Sequence, residues 1–248
     1  VTTVALILLS FGTLDLIRWS VGRVSPRRTK LALAVSAAVV SVIAALAGFA
    51  AWKVLLIALA SFTSGVVWVW LESAVRSALP NPRPDSILLL PLAWIAAVLV
   101  TSFALGGSLS DVGGPLADWY TGLHTRLSER VPVEQFLTGV AGAFFLTCTG
   151  NRVVRLVLEA AGSLEKPEGK LKGGRVIGVL ERLALGAVIV AGDVAGVAVV
   201  IGAKGLIRLP EIGAAATEDD HVAEYFLIGT LSSLLLSGLV ALLVLAVA

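Results

Sequence analysis

Three ionisable side chains stand where an apolar sequence least tolerates them. Glu181, Arg182 and Lys204 interrupt two hydrophobic runs in the C-terminal third, on either side of Gly192-Asp193. One acid and two bases so placed suit a self-neutralising ion network, a site for a substrate, ion or lipid headgroup, or a proton relay. Ionisable groups inside apolar spans are costly and mark function by default. Glu181 lies twelve residues before Asp193, and Lys204 eleven after it. If Gly192-Asp193 is a turn, as that dipeptide favours, antiparallel helices of equal rise bring all three to one depth. Arg175 and Arg208 fall closer to the same face, and Glu224 opens the last apolar run. Arg175, Glu181, Arg182, Lys204, Arg208 and Glu224 are therefore the candidate polar cluster. A simple lock of the hairpin by Glu181 and Lys204 is the plainer reading of it. Asp15 and Arg18 are a second, weaker candidate, three residues apart on one helix face and so predicted to pair.

The elements that carry these groups are membrane helices. Of 248 residues, 57% are hydrophobic and 15% charged, where a soluble domain carries about a quarter charged. A single soluble core of this length does not hide so much apolar surface. The composition also excludes a disordered chain, a disulfide scaffold and a nucleic-acid module. It predicts an all-α polytopic transmembrane helix bundle, with the lipid bilayer as partner and no nucleic acid.

Crossing the hydrocarbon core takes about 20 apolar residues. The clear spans run from Leu31 to Trp52, Val54 to Leu71, Ser86 to Leu105, Val133 to Gly150 and Tyr225 to Ala248. A shorter one runs from Thr3 to Ile17; lacking a basic n-region and an A-x-A site, it reads as a membrane helix rather than a signal peptide. With no Met in the chain, Val1 reads as an alternative start or a processing point. The region 176–209 has two readings. One is a single helix from Leu183 to Ala203 with Asp193 at its centre, at a cost of about 2.5–3.5 kcal/mol. The other is a hairpin of Val176 to Gly192 and Val194 to Leu209, two short helices that must tilt or thin the bilayer.

Basic residues favour the hairpin. With eight spans, the loops on one side collect fifteen Lys and Arg and those on the other side three. The positive-inside rule then makes the rich side cytoplasmic and leaves both termini extracytoplasmic. The seven-span alternative moves Lys204 and Arg208 outside and weakens the contrast. Trp19, Trp52, Trp68 and Trp70 fall near predicted helix ends, where aromatic belts form, and Trp94 reads as mid-span packing.

The chain thus divides into a five-helix membrane half (1–150), a Gly- and Lys-rich cytoplasmic linker (151–174), and a hairpin plus final transmembrane helix (175–248). Within the first half, 113–130 reads as an amphipathic helix on the outer face. Pro115 sits at its start, and Leu116, Trp119, Tyr120, Leu123 and Leu127 recur at helical spacing. It suits either a lipid surface or a lid packed on the bundle. On the last helix, Gly229, Ser233, Ser237 and Ala241 form a small-residue stripe suited to close helix approach. Thr230 and Ser232 are expected to bond backbone carbonyls.

Other chemistry is thinly represented. Cys148 lies in an apolar run and reads as a packing thiol. His124 and His221 are far apart, so no zinc site and no cofactor is predicted. Gly169-Lys170 lacks the spacing of a P-loop, and neither G-x-S-x-G nor H-E-x-x-H occurs. The final span has no lysine, which argues against a retinal Schiff base.

Three blocks stand out in the last third: Gly174-Arg175-Val176-Ile177-Gly178-Val179-Leu180-Glu181-Arg182, Gly202-Ala203-Lys204-Gly205-Leu206-Ile207-Arg208, and Glu224-Tyr225-Phe226-Leu227-Ile228-Gly229-Thr230-Leu231-Ser232-Ser233. Together they resemble a family of uncharacterised bacterial polytopic membrane proteins. The resemblance covers roughly 174–240 and implies that Glu181, Lys204, Arg208 and Glu224 act as a unit. The expected function is that of a non-enzymatic multi-pass protein of the bacterial cytoplasmic membrane, transporter-like or an accessory subunit, with a membrane protein partner or a second copy as its associate. The alternative is a membrane enzyme acting on a lipid or isoprenoid substrate.

Overall fold

The structure, a computed structural model, describes residues 2–20, 25–78, 86–106, 112–161, 174–215 and 220–247. Among these it has eleven helices and no strand: α1 (Thr2–Ser20), α2 (Pro26–Leu46), α3 (Ala51–Ala78), α4 (Ser86–Gly106), α5 (Gly114–Thr121), α6 (Arg126–Arg130), α7 (Val133–Thr147), α8 (Thr149–Ala160), α9 (Gly174–Val190), α10 (Val194–Ala215) and α11 (Asp220–Leu245). The stretches Pro26–Leu46, Ala51–Val75 and Leu227–Leu245 are long and apolar enough to cross a membrane, and α4, α7 and α10 contain shorter apolar helices. Their outward faces are apolar as well: Leu55, Leu59, Phe62 and Trp70 on α3 and Leu231, Leu235 and Leu242 on α11 are exposed. An apolar surface this extensive marks contact with lipid or another protein.

The shortest span predicted from sequence is the centre of the bundle. Helix α1 is buried along almost its whole length and packs on α2, α3, α4, α7 and α8. Val4, Leu8, Phe11 and Leu14 belong to the main core cluster. Paired hydroxyls set the register with α2: Ser36 Oγ donates to Ser10 O at 2.8 Å, and the Ser10 and Ser36 hydroxyls lie 3.1 Å apart. Thr3 Oγ1 donates to Ser102 O at 2.8 Å, tying the start of α1 to the end of α4. At Gly12 the backbone of α7 comes so close that a β-carbon would lie 3.0 Å from the carbonyl carbon of Phe144. Gly142, on the far side of α7, is crossed as tightly by Val240 of α11. Helix α7 is therefore clamped between α1 and α11 through two glycines. The small stripe of α11 faces inward as expected, with Ser233, Ser237 and Ala241 buried.

Residues 191–193 form the turn of a helical hairpin, so the single helix from Leu183 to Ala203 does not form. Gly192 has φ +71, a conformation that glycine adopts without strain. The Asp193 carboxylate accepts from Gly196 N at 2.9 Å and caps α10.

Several boundaries differ from the sequence reading. Helix α3 continues to Ala78, so Glu72 lies within a helix and not just beyond one. Helix α8 occupies 149–160, the first part of the stretch read as a linker, and buries Val153, Leu156 and Leu158; residues 162–173 lie outside the described residues. The segment read as one amphipathic helix over 113–130 is two short helices, broken by Gly122 and by His124 at φ 46. Pro115 does stand in the first turn of α5. Tyr120 turns inward, donating to Val131 O at 2.9 Å and stacking on Phe136, while Trp119, Leu123 and Leu127 stay exposed. Gly113 N donates to Ala47 O at 3.0 Å, so α5 starts against the turn between α2 and α3.

Candidate functional site

Asp15 and Arg18 form the predicted i,i+3 pair, with Nη1 to Oδ1 at 3.2 Å. They do not stand alone. Arg18 Nη1 also lies 2.7 Å from Glu72 Oε2 of α3. Arg152 of α8 completes a ring: its Nε is 3.1 Å from Asp15 Oδ1, and its Nη1 donates to Glu72 Oε1. Each carboxylate thus touches both guanidiniums, and the four charges sum to zero. Low dielectric demands such closure, because an unpaired buried charge costs several kcal/mol, roughly 3–5 on removal of one partner.

The ring is dry. Asp15 is fully buried and Glu72 and Arg18 are nearly so. Trp68 closes it from α3, with its indole Nε1 at 3.5 Å from Asp15 Oδ1 and its ring edge-on to Phe11. Trp68 is consequently a core residue and not an interfacial anchor, whereas Trp52 and Trp70 are exposed as a belt requires. Trp94 packs as read, donating to Ser64 O at 3.3 Å. Cys148 and Thr149 adjoin the ring where α7 gives way to α8.

That break links the ring to the C-terminal cluster. The last carbonyls of a helix lack intrahelical donors, and here Leu146 O accepts from Arg182 Nε of α9 at 3.1 Å. Gly150 gives the guanidinium room; a β-carbon there would lie 3.1 Å from Nε. Arg182 Nη2 donates to Asn151 Oδ1, and Nη1 to Ser233 Oγ of α11 at 3.4 Å. Arg182 is only 3% exposed, yet all three of these acceptors are neutral. Since Asn151 and Arg152 are neighbours, a polar belt crosses the bundle from Glu72 to Ser233.

Beyond Arg182 the hairpin pair forms where counting from the turn places it, with Lys204 Nζ 2.5 Å from Glu181 Oε2. Both side chains remain about a fifth exposed, wetter than Asp15, Arg18 and Glu72 but no wetter than Arg152. The expectation of a self-neutralising cluster thus holds for Glu181 and Lys204 but not for Arg182, whose neighbour Glu181 bonds elsewhere. The side chains of Arg175, Arg208 and Glu224 lie outside the described residues. A cavity of about 20 Å³ lies between α9, α10 and α11, lined by Glu181, Arg182, Lys204, Thr230, Ser233 and Ser237. It admits one water-sized occupant. Ser232 bonds Ile228 O as expected, but the Thr230 hydroxyl is buried with no partner.

Sequence reasoning missed Glu72, Arg152 and Asn151. One signal was present: Glu72 follows directly on an apolar run and stands four residues after Trp68, on the same helix face. Among the described residues, no group of His, Cys, Asp and Glu is arranged to hold a metal ion. No family model, curated protein or solved structure matches the chain.

Proposed function

We propose that the chain is an eight-span protein of the bacterial cytoplasmic membrane, non-enzymatic and either transporter-like or an accessory subunit, whose working part is the C-terminal polar cluster. In this reading the basic residues near the ring and the start of α9 face the cytoplasm, and the cluster takes an anionic group there. The observation that carries it is Arg182: a buried guanidinium, bonded only to neutral acceptors, beside a small cavity that also holds Lys204 and an unpartnered hydroxyl. A permanent cation so placed attracts an anion, and one halide ion or one oxygen of a carboxylate or phosphate fits the space. The resemblance of roughly 174–240 to uncharacterised bacterial membrane proteins is a further reason to treat Glu181, Lys204, Arg208 and Glu224 as one unit.

The test is the thermal stability of the full chain in phosphatidylcholine nanodiscs, titrated with chloride and with phosphate against gluconate. A ligand at a hundred times its Kd stabilises by about 2.7 kcal/mol. Wild type should show such a rise, and Thr230→Val should reduce it at least about fivefold in apparent affinity, a loss of one hydrogen bond of roughly 1 kcal/mol. Thr230→Val removes no bond within the fold, so it should melt no lower than wild type in gluconate. An anion response equal in both proteins, or absent from wild type, overturns the reading. The Glu181→Lys with Lys204→Glu exchange adds a separate arm: it should fold while the single variants do not, and should respond weakly to anion. Full anion response in the exchanged protein reduces the pair to a lock on the hairpin.

A further inference from the structure

Helix α1 has two faces with opposite employment. Asp15 and Arg18 continue the face of Leu8 and Phe11 into the ion ring. On the other face, Leu6, Leu9, Thr13 and Ile17 form the floor of a cavity of about 420 Å³ walled by Val35 and Val39 of α2 and by Val140 and Phe144 of α7. Apart from Thr2 at one end its lining is apolar, since the Thr13 hydroxyl is turned to its own helix, donating to Leu9 O at 2.8 Å. The floor runs from Thr2 to Ile17, about 22 Å at the α-helical rise.

Size decides what fits. A volume of about 420 Å³ over about 22 Å gives a mean cross-section of roughly 20 Å². Over only the walled stretch of α2, from Val35 to Ile43 and about 12 Å long, it is roughly 35 Å². A helix about 10 Å across needs roughly 80 Å². The space held between the α2 and α7 walls is smaller than that and has the girth of one extended hydrocarbon chain.

The register supplies the rest. The Ser10–Ser36 bond of the antiparallel α1–α2 pair sets Arg28 level with Arg18. Arg28 lies seven residues before Val35, two turns along the same face of α2, with Arg27 and Lys30 beside it. The walls stop short of Leu16 and Ile17, so the groove opens toward these basic residues. We infer that the groove between α1, α2 and α7 is a binding site for a single lipid chain whose anionic headgroup lies against Arg27 and Arg28. This site is on the opposite face of α1 from the ring and independent of the anion site at Arg182.

The full chain in detergent, offered equimolar phosphatidylglycerol and phosphatidylcholine, is examined by native mass spectrometry. One phosphatidylglycerol should stay on each chain, at about thirtyfold preference over phosphatidylcholine, as expected for two interfacial arginines. Val140→Trp fills the groove from its exposed rim and should abolish retention; Val39→Trp, from the other wall, should do the same. Val66→Trp, on the lipid-facing side of α3, should not. Arg27→Gln with Arg28→Gln should keep one lipid and lose the preference. Retention unaltered by both filling variants overturns the proposal, as does a wild type that holds no lipid. A detergent-resistant dimer that Val140→Trp dissociates also overturns it, since a second copy would then occupy the groove.

Discussion

Each acid in the ring of Asp15, Arg18, Glu72 and Arg152 touches both bases, so neutralising any one member strands two others. Glu72→Gln leaves Arg18 and Arg152 sharing Asp15, with one buried positive charge in excess. Loss of one partner of a buried pair costs about 3–5 kcal/mol. That loss is expected in reversible unfolding of the detergent-solubilised variant. Adding Arg152→Met restores neutrality and should recover at least about 1 kcal/mol of it, the coupling expected of residues in one network. A Glu72→Gln variant within about 0.5 kcal/mol of wild type would mean that water reaches the ring. The residues involved were unequally legible. The Asp15–Arg18 pair follows from a spacing of three on one helix. Glu72 and Arg152 meet across eighty residues of chain, and each, taken alone, is only a charge at the edge of an apolar run. Periodicity reports which face of a helix a residue occupies, but not which distant helix lies against that face.

At the level of the helix, glycines set where elements cross. A β-carbon on Gly142 would lie 2.6 Å from Val240 Cγ1, whereas one on Gly139, a turn earlier on the same helix, meets nothing within 4 Å. Gly142→Ala is expected to cost about 1–3 kcal/mol by overpacking, and Gly139→Ala to be neutral or to stabilise by up to about 1 kcal/mol through helix propensity. Thermal unfolding of the two variants side by side checks the contrast, and Val240→Ala should rescue the first alone. Equal behaviour would show that α7 and α11 separate easily. Helix positions were read well from apolar runs because burial and lipid exposure both select apolar side chains. For that same reason the runs did not reveal that α1 is enclosed by its neighbours while α3 shows lipid a full face. Both are equally hydrophobic, and only packing separates them. The hairpin turn was legible for a different reason: Gly192 and Asp193 have turn chemistry of their own, independent of what packs around them.

For the whole molecule, the ring, the Arg182 contacts and the Glu181–Lys204 pair form one polar layer through an otherwise apolar bundle, and the proposed topology places that layer near the cytoplasm. Cys148 is the single cysteine, so Cys148→Ala provides a background for thiol labelling of intact cells. On that background Asp193→Cys should react with a membrane-impermeant maleimide, and Arg28→Cys only after permeabilisation. The seven-span arrangement would bury position 193 and leave it unlabelled in both conditions. The division into halves is less sharp than composition suggests. Helix α11 packs on α7 and α8 as well as on α9, so the polar layer draws on residues from both ends of the chain.

The ring also has a history written into its order. Its members are made in the sequence Asp15, Arg18, Glu72, Arg152, acid first and compensating base last. Until residue 152 exists, the growing chain carries two acids against one base at this site. Synthesis of α4, α5, α6 and α7 therefore takes place over an unbalanced charge, which α8 settles on arrival. Closure of the ring is thus an event of assembly in time as well as a contact in space: the charges of the first half balance only once α8 has been made.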